Sequence, residues 1–299
     1  MFIQRLIVSI IAAALVAIAI AFSFHPFFSA FFALLVAAVA AMALREYYHM
    51  AQQRQWRPLS LLGIAMGVAY ILAVFIAAPS QGASLWGGYI KIFVQPLSIA
   101  WMAFFLIFAY YFLRGSSPVI NSAITLFGLL YVVLPLSYLI SINYFFPESS
   151  GQDGRLWLIY LLVVTKSSDV AAYFVGKSIG HTPLCPYISP KKSWEGAVAG
   201  FLAALGASEL FAWGASHSLS FQGLFQLGGA QALWLGAVLG LTAQFGDLAE
   251  SLLKRDSGVK DSSRLPGLGG VLDIVDSLLF TAPVLYILLT SGVIGEKIA

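Results

Sequence analysis

Apolar side chains run along this chain in blocks long enough to cross a bilayer, separated by short polar stretches. A helix needs about 20 mostly apolar residues to span a bilayer core. On that rule the pattern predicts about nine membrane helices, at 3–23, 26–44, 59–78, 89–113, 118–146, 155–176, 196–213, 230–246 and 271–291. The blocks at 89–113 and 118–146 exceed the length needed, which allows tilt or an interfacial extension without specifying either. Leu6 to Phe22 follows Arg5 in the manner of a secretory leader, but no convincing small-residue cleavage site closes it and a second apolar block follows at once. A retained first span is the expectation. The predicted fold is an all-α polytopic membrane protein.

Composition agrees. Of 299 residues, 60% are hydrophobic and 10% charged, far more apolar than a soluble domain with a solvated surface. The formal charge of +3 is small, so nucleic acid is not an expected partner and the distribution of charge matters more than its sign. With the N-terminus in the cytoplasm, Arg5, Arg45, Arg54, Arg57, Arg114, Lys177, Lys191, Lys192, Lys254, Arg255, Lys260 and Arg264 all fall inside. Lys91, Arg155 and Lys297 fall outside, and Lys166 lies within the sixth span. That asymmetry is the one the positive-inside rule asks for, and it directs attention to the cytoplasmic face of an integral membrane protein. The compact chain suggests a bacterial-type inner membrane. Residues 1–150 are expected to form a transmembrane scaffold, 151–299 a region carrying the chemistry. Cys185, the single cysteine, has no partner for a disulfide, a redox pair or a zinc site.

The scarce charges are concentrated. Between 247 and 276 stand Asp247, Glu250, Lys254, Arg255, Asp256, Lys260, Asp261, Arg264, Asp273 and Asp276. Asp247, Glu250, Ser251 and Lys254 recur every three or four residues and share a helical face. A loop rich in Gly, Ser and Pro follows, and then Asp273 and Asp276 stand one turn apart at the head of the last span. Carboxylates interleaved with Lys and Arg at a membrane surface suit a phosphate substrate carrying a hard cation, because acid oxygens hold the metal while bases neutralise phosphate. The competing reading is a solvated loop of paired charges. Against it, Asp273 and Asp276 lead straight into apolar helix, where unpaired carboxylates are costly.

A second polar region precedes the seventh span. Lys166 and Asp169 lie on one face inside the sixth span, either as a functional pair or as a pair that closes a packing defect. Ser189 to Gly196, SPKKSWEG, places Lys191, Lys192 and Ser193 before a helix start, where main-chain N–H groups and lysines together favour anions. Topology alone would account for the lysines but not for the neighbouring Ser, Trp and Glu. Gly176-Lys177-Ser178 imitates the end of a P-loop, yet Ala171 stands where the first glycine belongs. His181 has no companions at metal-ligand spacing.

These regions together resemble the phosphatidate cytidylyltransferases, also called CDP-diacylglycerol synthases. The family signature runs Ser-x-x-Lys-Arg, Lys-Asp, Pro-Gly-His-Gly-Gly, Asp-Arg-x-Asp. This chain supplies Ser251, Lys254, Arg255, Lys260, Asp261, Pro266, Gly267, Gly269, Gly270, Asp273 and Asp276 in matching order and spacing. Gly246-Asp247, SPKKSWEG and Asp169-x-x-Ala-Tyr also match. The likeness covers about residues 166–277 and includes two departures, Leu268 for the histidine and Ile274 for the arginine. The lost arginine removes a cation worth about 1.5–3 kcal/mol where it bonds phosphate.

The resemblance implies that CTP and phosphatidate are converted to CDP-diacylglycerol and pyrophosphate at the cytoplasmic face, with Mg2+ as cofactor and a monovalent cation such as K+ as its companion. It implies metal binding by Asp247 and Asp273, with Asp276 and Asp261 as supporting acids. Lys191, Lys192, Lys254, Arg255, Lys260 and Arg264 become phosphate contacts, Ser193 and Ser251 hydrogen-bond donors, and Asp169 and Lys166 the lining of a polar cavity. Besides the substrates, membrane lipid and a second copy of the chain are the expected partners. Three rivals stand beside this reading: a weakly active or repurposed relative, another lipid-phosphate enzyme such as a kinase, and an ion-coupled transporter using Lys166 and Asp169. A kinase would release no pyrophosphate, and a transporter would move ions without CTP.

Overall fold

The computed structural model describes residues 2–78, 94–114, 117–146, 150–218, 221, 223–259, 262 and 270–294, with backbone only for 2–10 and 12. The described residues are helical almost throughout. Helices α1 (Phe2–Ala21), α2 (Pro26–Gln53), α3 (Ser60–Ala77), α4 (Pro96–Arg114) and α5 (Pro118–Gly128) come first. A π turn (Leu129–Val133), α6 (Leu134–Asn143) and α7 (Gly154–Ile179) follow. Strands β1 (Pro183–Cys185) and β2 (Ser189–Ser193) precede α8 (Trp194–His217), α9 (Gly229–Asp256), α10 (Val271–Val275) and α11 (Leu278–Thr290).

Among the described residues, eight helical segments are long and apolar enough to cross a membrane, counting α5–α6 and α10–α11 as one each. Helix α1 occupies the first expected span. Several expected boundaries move, the eighth span's among them, which runs on to Asp256. The second span runs on to Gln53, until Gln55 turns to positive φ and Pro58 bars continuation. The fourth starts at Pro96 rather than 89, since a proline is best placed at a helix start; residues 89–93 lie outside the described ones. The last is interrupted at Asp276 and Ser277, between α10 and α11. The fifth holds an irregularity of its own. Pro135 has no N–H to offer Tyr131, and the chain widens into a π turn just before it, so the proline falls in the first turn of α6, where the missing donor costs least.

The chain divides into two compact units, Met1–Phe145 with Lys254–Val275, and Phe146–Leu253 with Asp276–Ala299. In the first, the core comprises Leu44, Ile71, Val132 and Leu136. The Tyr48 hydroxyl donates to the Thr125 carbonyl at 2.9 Å, and Tyr144 donates to the Ser23 carbonyl at 2.9 Å, so these two buried phenols find acceptors. In the second, Trp157, Tyr160, Phe211 and Phe225 form an aromatic cluster, Trp157 and Phe225 having centroids 4.5 Å apart. Helices α7 and α8 pack through small residues. A Cβ on Gly196 would lie 2.7 Å from the Ala172 carbonyl, and one on Gly200 would lie 2.9 Å from that of Ser168. Such contacts let backbones approach where apolar burial gives no preference between protein and lipid. Phe112, Trp213 and Phe245 project outward, as side chains facing lipid can.

Candidate active site

In the second unit the polar chemistry is built on α7, the β1–β2 hairpin, the start of α8, α9 and the break before α11. Lys166, Asp169, Tyr173 and Lys177 share one face of α7 by their spacing. Lys166 Nζ donates to Asp169 Oδ2 at 2.9 Å and to Ser277 Oγ at 3.1 Å, and Ser277 Oγ donates to Asp169 Oδ2 at 2.8 Å. Ser277 is fully buried. Its own N–H donates to Asp276 Oδ1 at 2.6 Å. The Lys166–Asp169 pair is therefore a closed three-membered network tied to the helix break, and it also borders a cavity through Asp169.

The hairpin accounts for the residues around the two lysines of SPKKSWEG. Strands β1 and β2 pair antiparallel. Ser193 caps α8, its Oγ accepting the Gly196 N–H at 3.2 Å, which satisfies one of the donors a helix start leaves open. The Glu195 carboxylate accepts the Thr182 N–H at 3.1 Å, and the Trp194 N–H donates to the Thr182 carbonyl at 2.9 Å. Ser193 and Glu195 thus fasten the hairpin to the helix. Lys191, Lys192 and Ser193 line the cavity.

Helix α9 carries Asp247, Glu250 and Ser251 within one turn. Gly246 brings this turn to the break: a Cβ there would lie 2.6 Å from the Asp276 carbonyl oxygen and 3.1 Å from Ser277 Cα. No other residue permits that approach. As a result Asp247, Glu250 and Asp276 each offer a carboxylate oxygen, all within 4.8 Å of one another. Glu250 is fully buried and Asp276 nearly so. Lys192 Nζ lies 2.8 Å from Asp247 Oδ1 and donates to Ser251 Oγ at 3.4 Å.

The cavity beside these groups measures about 710 Å3, within the range of small-molecule sites. Asp169, Tyr173, Lys177, Lys191, Lys192 and Asp247 are on its wall. Three converging carboxylates, two of them out of water, repel one another unless a cation or proton intervenes. Their oxygens are the hard donors that Mg2+ and K+ take. The donor set fits a metal ion, and the lysines opposite fit phosphate.

The remaining predicted residues belong to the first unit. Lys254 Nζ pairs with Asp273 Oδ1 at 3.1 Å, and the Gly270 N–H donates to Asp273 Oδ2 at 3.1 Å. Arg255 is exposed near the end of α9. Ile274, at the family's arginine position, is 38% exposed on α10. Lys260, Asp261, Arg264 and Leu268 lie outside the described residues. Asp247 and Asp273, the metal pair implied by the resemblance, fall in different units.

Three residues join the picture that the motif reading did not select. Glu250 stands beside Asp247 and Asp276, and its i,i+3 spacing from Asp247 was the available signal. Lys177, set aside with the false P-loop, lines the cavity. Glu46 is a buried acid in α2 that accepts three hydrogen bonds; its signal was a carboxylate within a largely apolar helix.

Comparison with known proteins shows the family. A family model described as "Cytidylyltransferase family" matches residues 3–291. The phosphatidate cytidylyltransferase of Chlamydia pneumoniae is 32% identical over 289 residues, covering 96% of this chain and 91% of its own. That of Synechocystis sp. is 30% identical over 298 residues, covering 92% and 94%, and that of Bacillus subtilis 32% identical over 261 residues, covering 86% and 88%. A match across nearly the whole chain leaves one assignment: the chain belongs to the cytidylyltransferase family.

Proposed function

We propose that this chain transfers a cytidylyl group from CTP to phosphatidate, forming CDP-diacylglycerol and pyrophosphate. A phosphate oxygen of phosphatidate attacks the α-phosphorus of CTP. The bond from that phosphorus to the oxygen bridging to the β-phosphate breaks, and pyrophosphate leaves with the electron pair. The nucleophile is already an anion at neutral pH, so no general base has to take a proton, and the work lies in holding two polyanions in line.

The observation that carries this reading is the second unit's cavity, with Lys177, Lys191 and Lys192 on its wall beside Asp247, Glu250 and Asp276. The lysines neutralise phosphate oxygens and orient the triphosphate. Asp247, Glu250 and Asp276 would hold Mg2+, with K+ as a companion; bound there, the metal supplies positive charge to the phosphate oxygens. Lys192, hydrogen-bonded to Ser251 and paired with Asp247, keeps the α9 turn in register with the hairpin. Lys166 and Ser277 hold Asp169 at the cavity edge. Lys254 and Asp273 act as a pair in the first unit. The distribution of basic residues supports a reading in which the N-terminus and this cavity face the cytoplasm of a bacterial inner membrane.

The fate of label in CTP tests the proposal. With phosphatidate in mixed micelles, label from the α-phosphate is expected in the lipid fraction and label from the γ-phosphate in water-soluble pyrophosphate. γ-Label in lipid would indicate a kinase and sink the reading.

A further inference from the structure

Glu46 is 8% exposed in α2, a position where a carboxylate is tolerated only when hydrogen bonds replace water. It has three donors. Oε1 accepts the Val271 N–H at 3.0 Å, and Oε2 accepts the Leu272 N–H at 2.8 Å and the Ser262 hydroxyl at 3.0 Å. All are more than 200 residues away in sequence, and all belong to the same unit as Glu46.

The pattern differs from that of a generic packing anchor. Ser262 precedes, and Val271 and Leu272 follow, residues 263–269, so one carboxylate ties together the two flanks of that segment. The join leaves no room for a side chain at Gly270, whose Cβ would lie 2.7 Å from Glu46 Oε2 and would collide with Ser262 Oγ. The next N–H back along the chain, that of Gly270, is taken by Asp273, whose other oxygen meets Lys254. Three successive main-chain donors, at 270, 271 and 272, are thus shared between Asp273 and Glu46. Releasing Glu46 frees the turn that orients Asp273.

We infer that Glu46 is a positioning residue of the transfer reaction: by clasping Ser262, Val271 and Leu272 it fixes the turn that aims the carboxylate of Asp273 at Lys254, the pair through which it acts on turnover. The link to turnover rests on the proposed function, whereas the clasp does not.

The test uses the full-length protein in lipid nanodiscs and the variant Glu46→Gln, which keeps size but loses the charge and one acceptor. Amide exchange in peptides covering 270–275 is expected to accelerate about tenfold or more, while peptides from α7 and α8 are unchanged. Turnover should fall by about tenfold or more with KM for CTP and for phosphatidate within about threefold. Glu46→Asp should recover part of kcat. Ser262→Ala, which removes one donor of three, should produce the same pattern at smaller size, and it carries the test if Glu46→Gln fails to fold. Where the measurable residual turnover of Asp273→Asn permits the cycle, adding Glu46→Gln should lower it by less than about threefold, because one act is lost twice. Unchanged exchange at 270–275, undiminished kcat, or effects that multiply in the double variant would overturn the inference. An inactive wild type would instead refute the proposed function, with exchange still deciding the clasp.

Discussion

Gly246 and Asp276 are packed so closely that a Cβ on the glycine would lie 2.6 Å from the aspartate's carbonyl oxygen. The contact sets α9 against the break between α10 and α11 and brings Asp247 and Glu250 up to Asp276. Gly246→Ala should therefore destabilise by about 1–3 kcal/mol, the usual cost of overpacking, and reduce turnover more than it reduces melting temperature. Gly206→Ala is the control, because nothing lies within 4 Å of a Cβ there. It should be neutral or stabilise by up to about 1 kcal/mol through helix propensity. Equal behaviour of the two variants would remove the reason given for this glycine.

Lys192 touches both Asp247 and Ser251. Lys192→Met removes a charge-assisted contact of about 1.5–3 kcal/mol, so kcat/KM should drop about 10- to 100-fold. Lys191→Met and Lys177→Met, at the cavity wall, should mainly raise KM for CTP, by a factor that shrinks as salt is added. Steady-state kinetics at two ionic strengths separate these outcomes.

The Lys166, Asp169 and Ser277 network is only partly shielded, with side chains of the ion pair 39% and 29% exposed. Breaking it should cost about 1–2 kcal/mol, below the loss for a fully buried pair. Lys166→Met and Asp169→Asn combined should cost less than their sum. Thermal melts of the four proteins would reveal additive effects if the network were incidental.

A bound cation stabilises the folded state by mass action, by about 2.7 kcal/mol at one hundred times its dissociation constant. Titrating Mg2+ into the metal-stripped protein should raise the melting temperature, and Glu250→Gln should weaken or abolish the rise. A shift that survives in Glu250→Gln, Asp247→Asn and Asp276→Asn alike would place the metal elsewhere.

The membrane architecture was legible because apolar blocks of span length leave few alternatives in a chain this hydrophobic. What escaped the pattern was local. Pro135 announced an irregularity, but not that a π turn at Leu129–Val133 would absorb it. The hairpin was hidden because β1 and β2 are three and five residues long and the second is SPKKS, which reads as loop. At the candidate site, the residue types were legible and their partners were not. Asp276 stood out as a carboxylate before apolar helix, yet only the fold brings Glu250 beside it. Ser193 was selected for its place before a helix, and only the fold shows that it both lines the cavity and caps α8. Glu46 depends on neighbours more than 200 positions away, a relation no spacing rule could carry.

Pyrophosphate release in mixed micelles tests the central claim most directly. The account predicts release that requires CTP, phosphatidate and Mg2+ together and that is lost in Asp247→Asn and in Asp276→Asn while both variants remain folded. Release that persists in both variants, or a folded wild-type protein that releases none with both substrates and metal supplied, would contradict it.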